Sequence, residues 1–442
     1  MKVLIVGNGG REHAMGWKIA QSPLVSELYF APGNGGTSLL GENIPVPDSI
    51  PLGTDQPEFI DFLEYELEEK KFTENDMVVI GPDMPLAFGI VDRLSKYRVY
   101  GPNKQAAQIE WSKVFAKRFM RRHGIPTAQF EVFGKDETWR STVGNALSYA
   151  GSRLREYGMV VKADGLAKGK GVTVCNDWNE IVEAIKTTME DRKFDTQYIP
   201  AGERIIIEEK LIGKEVSYIV MTDGKTYKEL APAGDYKRIF DGDKGPNTGG
   251  MGGYSPMIVD QPTMNGIREG VIKKALEGFR KEGIDYRGTL YAGLMLTEKG
   301  PFVLEFNARF GDPETQVTMR RMKSDLVPYL EACIGGTLDR LPDFEWDTRP
   351  AVNVVLTSQD YPGKYATGKE ITGLDEVSKM DDVVVFHAGT ERVGDRFYTS
   401  GGRVVNIVVL ANSREEARDR LYGDIIRRIY FEGMHYRGDI AA

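Results

Sequence analysis

Residues 3–13 read Val3-Leu4-Ile5-Val6-Gly7-Asn8-Gly9-Gly10-Arg11-Glu12-His13. An apolar run suited to a strand meets glycines and then a helical pattern over Arg11–Ala20. This is how an open α/β sheet begins, with backbone N–H groups at a helix start able to receive an anion. A Gly-x-Gly-x-x-Gly fingerprint starting at Gly7 requires glycine at position 12, where Glu12 stands. The second strand, Leu28–Phe30, runs into Ala31-Pro32-Gly33-Asn34 rather than the acidic residue that a dinucleotide's ribose needs. The stretch therefore keeps an anion site at Gly9 and Gly10 but argues against a dinucleotide.

Outward from it, residues 1–105 alternate strand and helix patterns: Glu58–Lys70, Met77–Ile80, Ala87–Leu94 and Val99–Tyr100 follow. Each strand ends in Gly or Pro, the βα rhythm of a parallel sheet with ligands beyond its carboxyl edge. A single helix is expected over Gln105–His123, its late Lys117, Arg118, Arg121 and Arg122 suiting the helix dipole. A smaller α+β stretch covers 128 to about 200, and a glycine-rich loop covers 234–255. Helices are expected over Gly266–Glu282 and Arg414–Tyr430, and strands over Leu290–Leu296, Phe302–Asn307, Ala351–Thr357, Val383–His387 and Val404–Leu410.

With 442 residues the chain is too long for one core and divides into several domains. A net charge of −8 without single-sign runs disfavours nucleic acid as the main partner. No apolar run approaches a membrane span. The two distant cysteines, Cys175 and Cys333, predict no disulfide framework and a reducing, cytoplasmic setting. The four histidines show no metal-ligand spacing and read as surface or satisfied core residues.

Three further stretches carry chemistry. Val160–Val172 holds Lys162, Asp164, Gly165, Lys168, Gly169, Lys170 and Gly171 between two strands, a loop whose N–H groups and ammonium ions suit a polyphosphate. No Gly-Lys-Ser/Thr opens a helix there, so it is not a Walker A loop. Glu208-Glu209-Lys210-Leu211 ends a strand, with Glu215 just beyond, where backbone groups and carboxylates can meet a purine and a ribose. In Leu304–Asp312, strand period two sets Glu305 and Asn307 on one face, two hard oxygen donors that suit Mg²⁺, and Arg309 continues that face.

Lys162, the glycine loop, Glu208–Leu211, Glu215 and Glu305/Asn307 occur in the order seen in ATP-grasp enzymes. With VGNGGREH (6–13), APGN (31–34), GPNTGGMGGYSP (245–256) and EFNARFGDPETQ (305–316), the whole chain resembles the phosphoribosylamine–glycine ligase family. The resemblance implies an α/β and α+β multidomain fold. An N-terminal open parallel sheet (1–110) binds the phosphoribosyl group, a central ATP-grasp fold (111–330) has a mobile lid at about 128–200, and a mixed α/β C-terminal domain (331–442) follows. It implies ligation of glycine to 5-phosphoribosylamine through glycyl phosphate, with ATP and Mg²⁺, Mn²⁺ being an alternative ion. Small-molecule substrates and a monomer or weak homodimer go with it.

By the same resemblance, Lys113, Lys162, Gly165, Lys168, Gly169 and Gly171 hold ATP phosphates; Glu208, Glu209 and Leu211 take adenine; Glu215 takes ribose. Glu305 and Asn307 bind the metal, with Arg309, Asp235 and Lys162 at the reacting groups. Asn8, Gly9, Gly10, Arg11, Gly33, Asn34 and Asp83 receive the phosphoribosyl substrate. Independently of the resemblance, the entropy cost of ordering so glycine-rich a loop points to Lys237 and Asn247–Met251 (Asn247, Thr248, Gly249, Gly250, Met251) as wrapping a substrate. Asp83 stands where the family usually has Glu, and Gly234 where it commonly has Gln. Another carboxylate–amine ligase with a different acceptor, and a non-catalytic nucleotide-binding regulator, stay open at this point.

Overall fold

The computed structural model describes residues 1–51, 53–135, 142–154, 158–167 and 171–442. Strands β1 (Lys2–Gly7), β2 (Glu27–Pro32), β3 (Glu42–Asn43), β4 (Met77–Ile80) and β5 (Arg98–Tyr100) form a parallel sheet in the order β3-β2-β1-β4-β5. Val3–Val6 and Met77–Ile80 are buried throughout because helices cover both faces, so their sequences run apolar without alternation. Helices α1 (Gly10–Ile19), α2 (Glu58–Glu69), α3 (Asp83–Phe88) and α4 (Ile90–Arg93) connect or flank the strands. The strand order reverses between β1 and β4. The loops leaving those two strands, carrying Asn8 and Asp83, therefore open the crevice in which such sheets bind ligands.

The stretch expected as one helix over Ala87–Leu94 is two, parted at Gly89, whose φ of +87° is left-handed. The expected Gln105–His123 helix is also two, α5 (Lys104–Trp111) and α6 (Lys113–Arg122). Ser112 between them is extended, and its side chain accepts from the Phe115 N–H as an N-cap.

Strands β6 (Phe130–Gly134), β7 (Met159–Ala163), β8 (Val172–Cys175) and β9 (Arg204–Glu209) form an antiparallel sheet in the order β6-β9-β7-β8. With α7 (Val143–Arg153) and α8 (Trp178–Met189) it encloses a core of its own around Phe133, Val161, Ile181 and Ile205. This unit includes β9 as a central strand and so runs past residue 200.

A second antiparallel sheet orders β11 (Tyr227–Glu229), β10 (Lys214–Thr222), β16 (Gly288–Thr297) and β17 (Gly300–Asn307). The region expected as a glycine-rich loop, 234–255, contains four short strands instead: β12 (Gly234–Asp235), β13 (Arg238–Phe240), β14 (Lys244–Asn247) and β15 (Gly252–Ser255). Long-range pairing decides this, since β12 and β15 join a sheet with β18 (Ala351–Thr357), β23 (Arg403–Leu410) and β20 (Val383–His387). A smaller sheet orders β19 (Glu370–Ile371), β22 (Arg396–Thr399) and β21 (Thr390–Val393). The helix expected at Gly266 begins at Gln261, capped by Asp260, and passes from α9 (Gln261–Ile267) through a π turn into α10 (Lys274–Lys281). Helices α11 (Glu314–Arg321), α12 (Val327–Gly335), α13 (Leu374–Val377) and α14 (Arg414–Arg420) complete the chain. The last continues only as π and 3₁₀ turns to Arg428, short of the expected Tyr430.

Helix α1 packs between α11 and the C-terminal sheet. There His13 Nδ1 accepts from the His387 N–H at 2.8 Å and Asn34 Nδ2 donates to the His387 carbonyl at 2.9 Å. Among the described residues no helix is long and apolar enough to cross a membrane, and Cys175 and Cys333 are free and buried.

Candidate active site

A cavity of about 1760 Å³ opens where the N-terminal sheet, the β6–β9 unit, the β10–β17 sheet and the 234–249 stretch meet. Lys162 at the end of β7 and Glu305 and Asn307 at the end of β17 line this same cavity. The two elements touch: Lys162 Nζ donates to the Leu304 carbonyl at 2.9 Å. Leu304 is the extra residue of a β-bulge, since Gly293 pairs with Glu305 while Leu294 pairs with Val303.

Glu305 is a carboxylate among cations. Burial pushes its pKa up, but Lys237, Lys113, Lys162 and Arg309 outweigh burial and hold it below the usual range. Asn307 Oδ1 accepts from Arg309 Nη2 at 3.2 Å. An ionised carboxylate beside an amide oxygen suits a hard ion that draws its other ligands from phosphate and water. Among the described residues no group of three His, Cys, Asp or Glu gathers that could hold a metal. Arg309 is set by Glu110, 2.9 Å away, which also accepts from the Ala308 N–H at 2.6 Å.

Glu208 is buried with two lysines: Lys162 lies 2.6 Å from one of its oxygens and Lys117 2.5 Å from the other. Burial pushes Glu208 up, and the two lysines hold it below its ordinary value. Burial pulls Lys117 down to about 8, against the opposing pull of Glu208. Lys117 thus does not complement a helix dipole in water, as expected, but sits inside. Its spacing from Val114 and Met120, three residues either way on the buried face of α6, was the signal.

Lys113, in the first turn of α6, reaches the Gly165 carbonyl at 3.2 Å and lines the cavity. Asp164 caps α6 by accepting from Val114 N and Ser112 Oγ, both at 3.1 Å, and ties Arg204 at 2.6 Å. Gly171 is on the wall and Gly165 is not; Lys168 and Gly169 lie outside the described residues. Glu209, Leu211 and Glu215 line the cavity, with Glu215 2.8 Å from Lys237. Burial and the nearby Glu314, Glu215 and Glu305 push Asp235 up to about 7 against the pull of Lys237; burial lowers Lys237 in turn, but Asp235, Glu215 and Glu305 outweigh it and hold Lys237 well above its usual value.

At the crevice, Asn8, Arg11 and Asp83 line the cavity, while Gly9, Gly10, Gly33 and Asn34 do not. Glu12 explains the broken fingerprint. Its oxygens accept from Arg11 Nε at 2.6 Å and from the Gly9 N–H at 2.7 Å. A β-carbon at Gly7, Gly9 or Gly81 would come within 2.6, 2.6 and 2.1 Å of that side chain, so these glycines house a buried glutamate. Asn34 organises its own loop: Oδ1 accepts from the Gly36 and Thr37 N–H groups, and Nδ2 donates to the Asn8 carbonyl. Lys237, Asn247, Thr248 and Gly249 line the cavity; Gly250 and Met251 do not. Gly234 leaves room for Tyr254, whose ring a β-carbon there would meet at 2.8 Å.

Glu110, Lys117, Glu314, Tyr361 and Arg403 also line the cavity and were not expected. Glu314 accepts from Ser217 Oγ at 2.8 Å and Tyr291 OH at 2.6 Å. Arg403, from the C-terminal sheet, donates to the Gly249 carbonyl at 2.7 Å and to Asp312 Oδ2 at 2.9 Å. Nothing local in the sequence marks Arg403 or Tyr361.

This geometry has close relatives. Family models described as phosphoribosylglycinamide synthetase match residues 1–110 (N domain), 111–315 (ATP-grasp domain) and 351–442 (C domain). A phosphoribosylamine–glycine ligase of Caldanaerobacter subterraneus subsp. tengcongensis is 44% identical over 449 residues, with all of both chains covered. The trifunctional purine biosynthetic protein adenosine-3 of Gallus gallus is 43% identical over 442 residues, covering 99% of this chain and 42% of that protein. The crystal structure of phosphoribosylamine–glycine ligase from Thermotoga maritima superposes with a TM-score of 0.82 at 35% identity, covering 100% of each chain. The biotin carboxylase domain of a Hydrogenobacter thermophilus 2-oxoglutarate carboxylase, solved with MgADP, reaches a TM-score of 0.71 at 17% identity, covering 98% of this chain and 91% of that one. At that identity the likeness is one of fold alone. Three consecutive domain matches, full-length relatives and one shared cavity agree: the chain belongs to the phosphoribosylglycinamide synthetase family.

Proposed function

We propose that this protein ligates glycine to 5-phosphoribosylamine at the expense of ATP. A glycine carboxylate oxygen attacks the γ-phosphorus and ADP departs. The amine nitrogen of phosphoribosylamine then attacks the glycyl carbon, phosphate leaves and the nitrogen loses a proton. The observation that carries the reading is the meeting of Lys162 with the Glu305 strand in one cavity, across from Asn8, Arg11 and Asp83.

In this reading Lys113, Lys162, Gly165, Lys168, Gly169 and Gly171 bind the ATP phosphates. Glu208, Glu209 and Leu211 take adenine, and Glu215 the ribose. Glu305 and Asn307 hold Mg²⁺, which when bound neutralises charge on the phosphates; the same hard oxygens suit Mn²⁺. Arg309 and Asp235 flank the reacting carboxylate. Asn8, Arg11, Asn34 and the glycines Gly9, Gly10 and Gly33 receive the phosphate of phosphoribosylamine, and Asp83 another part of its phosphoribosyl group. Phosphoryl transfer asks for alignment and charge neutralisation more than for an acid–base pair, and the cations facing Glu305 supply that. A monomer or weak homodimer acting in the cytoplasm goes with this reading.

The test is ADP release by the purified protein with ATP, Mg²⁺, glycine and freshly made phosphoribosylamine, each omitted in turn. Turnover that needs all four supports the reading. Turnover with another amine in place of phosphoribosylamine, or none with the complete mixture, overturns it.

A further inference from the structure

Arg437 belongs to none of the elements so far given a role, yet its side chain is only 1% exposed. Its Nη1 donates to the Arg238 carbonyl at 3.0 Å and to Asp243 Oδ1 at 2.8 Å. Nε and Nη2 form a fork on Asp439, each at 2.7 Å. The guanidinium also lies 4.9 Å from the centre of the Tyr236 ring. Neighbouring backbone adds rungs: Gly438 N donates to Asp241 Oδ1 and Gly242 N to Asp439 Oδ2, both at 2.8 Å, and Ala441 N to Tyr236 OH at 3.0 Å.

These contacts converge on one stretch. Arg437 touches residue 236 through the ring and residue 238 through the carbonyl, one on each side of Lys237. The Lys237 ammonium is 2.8 Å from Glu215, and both residues line the cavity that Glu305 also lines. The β13–β14 hairpin that follows pairs at only two positions with a register shift between them, and its residues are mostly exposed. An isolated two-stranded hairpin is marginal by itself, so its order comes from what buckles it down.

We propose that Arg437 is a positioning residue: it clamps the 236–247 stretch from outside the cavity and thereby sets Lys237 beside Glu215 on the wall that faces the reacting phosphoryl group. What Lys237 does there rests on the ligase reading; the clamp itself does not. A planar, permanently charged fork suits this task, because it engages the Asp439 carboxylate and the hairpin in fixed directions where a lysine presents a single point charge.

Two variants test it by hydrogen exchange and steady-state kinetics. Arg437→Lys keeps the charge and loses the fork. Asp243→Asn weakens the hairpin leg at a side chain 70% exposed, where folding is not at stake. We expect amides of Arg238–Asn247 to exchange about tenfold faster in Arg437→Lys and about threefold faster in Asp243→Asn, with Val352–Leu356 unchanged. We expect kcat to fall about ten- to a hundredfold in Arg437→Lys while the KM for ATP stays within about twofold, because misplacement acts at the reacting end and not at the adenine wall. Hairpin exchange equal to wild type in both folded variants overturns the clamp. A loosened hairpin with unchanged kcat overturns the positioning role. Should Arg437→Lys fail to fold, Asp243→Asn decides by the same two readouts. A wild-type protein without glycine-dependent ADP release defeats the ligase reading alone, and hairpin exchange still decides the clamp.

Discussion

Glu305 and Lys162 line one cavity, and their side chains pose opposite problems: a carboxylate held ionised by four cations, and an ammonium shared between Glu208 and the Leu304 carbonyl. Replacing Glu305 or Lys162 by Ala is expected to lower ADP formation by about 10²–10³-fold, the scale of losing one oriented charge at a transferring group. The folded state should persist, as circular dichroism melts will show; near-normal turnover in folded variants would contradict the roles assigned. Glu12 belongs to the same scale. Glu12→Gly restores the dinucleotide spacing on paper but strands Arg11, a side chain 10% exposed that also donates to the Phe310 carbonyl. Breaking such a buried pair is expected to cost about 3–5 kcal/mol, read as a lower urea midpoint. A variant as stable as the parent would show that the pair does not hold the loop. The sequence displayed Glu12 as a misfit but not its purpose, since its partners are glycines whose missing β-carbons only matter once β1 and β4 lie side by side.

At the scale of elements, α1 meets the C-terminal sheet through Gly10, where a β-carbon would lie 2.4 Å from Asn406 Nδ2. Asn406 cannot yield easily, because it donates to the Phe386 carbonyl and accepts from Gln316 and Asn353. Gly10→Ala is therefore expected to destabilise by about 1–3 kcal/mol through overpacking, measured by denaturant unfolding. The β6–β9 unit has a core of its own, and we propose that it acts as a lid. Its closure on ATP should protect the 142–154 helix region from protease when ATP and Mg²⁺ are added; sensitivity unchanged by the nucleotide would remove the lid from the mechanism. Period and caps made most strands and helices here legible in advance. The breaks at Ser112 and Gly89 were not, because each is a cap inside a pattern that otherwise reads as continuous helix.

For the whole molecule, the junction between the first and last sheets is held by His13 and His387, ring centres 5.6 Å apart. Burial, reinforced by His387, pushes His13 well below its ordinary value, and burial pulls His387 down to about 4. Both folded-state values lie below that of an unfolded histidine, about 6.5, so the unfolded chain binds more protons in between. Their contribution is complete above pH 6.5 and is lost as pH falls toward 4. Unfolding free energy measured from pH 7 to pH 4 should fall less steeply for His387→Gln than for the parent; equal slopes would mean that the histidines are not linked to folding.

Composition, strand period and glycine spacing determined that this chain has a parallel N-terminal sheet, an opening glycine loop that departs from the dinucleotide fingerprint, and a carboxylate–amide pair on one strand face. Those properties are local, set by residues within a few positions of one another. Helical spacing sets Lys117 on the buried face of its helix, but tertiary structure alone decided that it meets Glu208, that Arg403 grips Asp312, and that Arg437 brackets Lys237. Partners tens to hundreds of residues apart leave no periodic trace, and a charge in the chain does not announce which distant charge folding will bury it against.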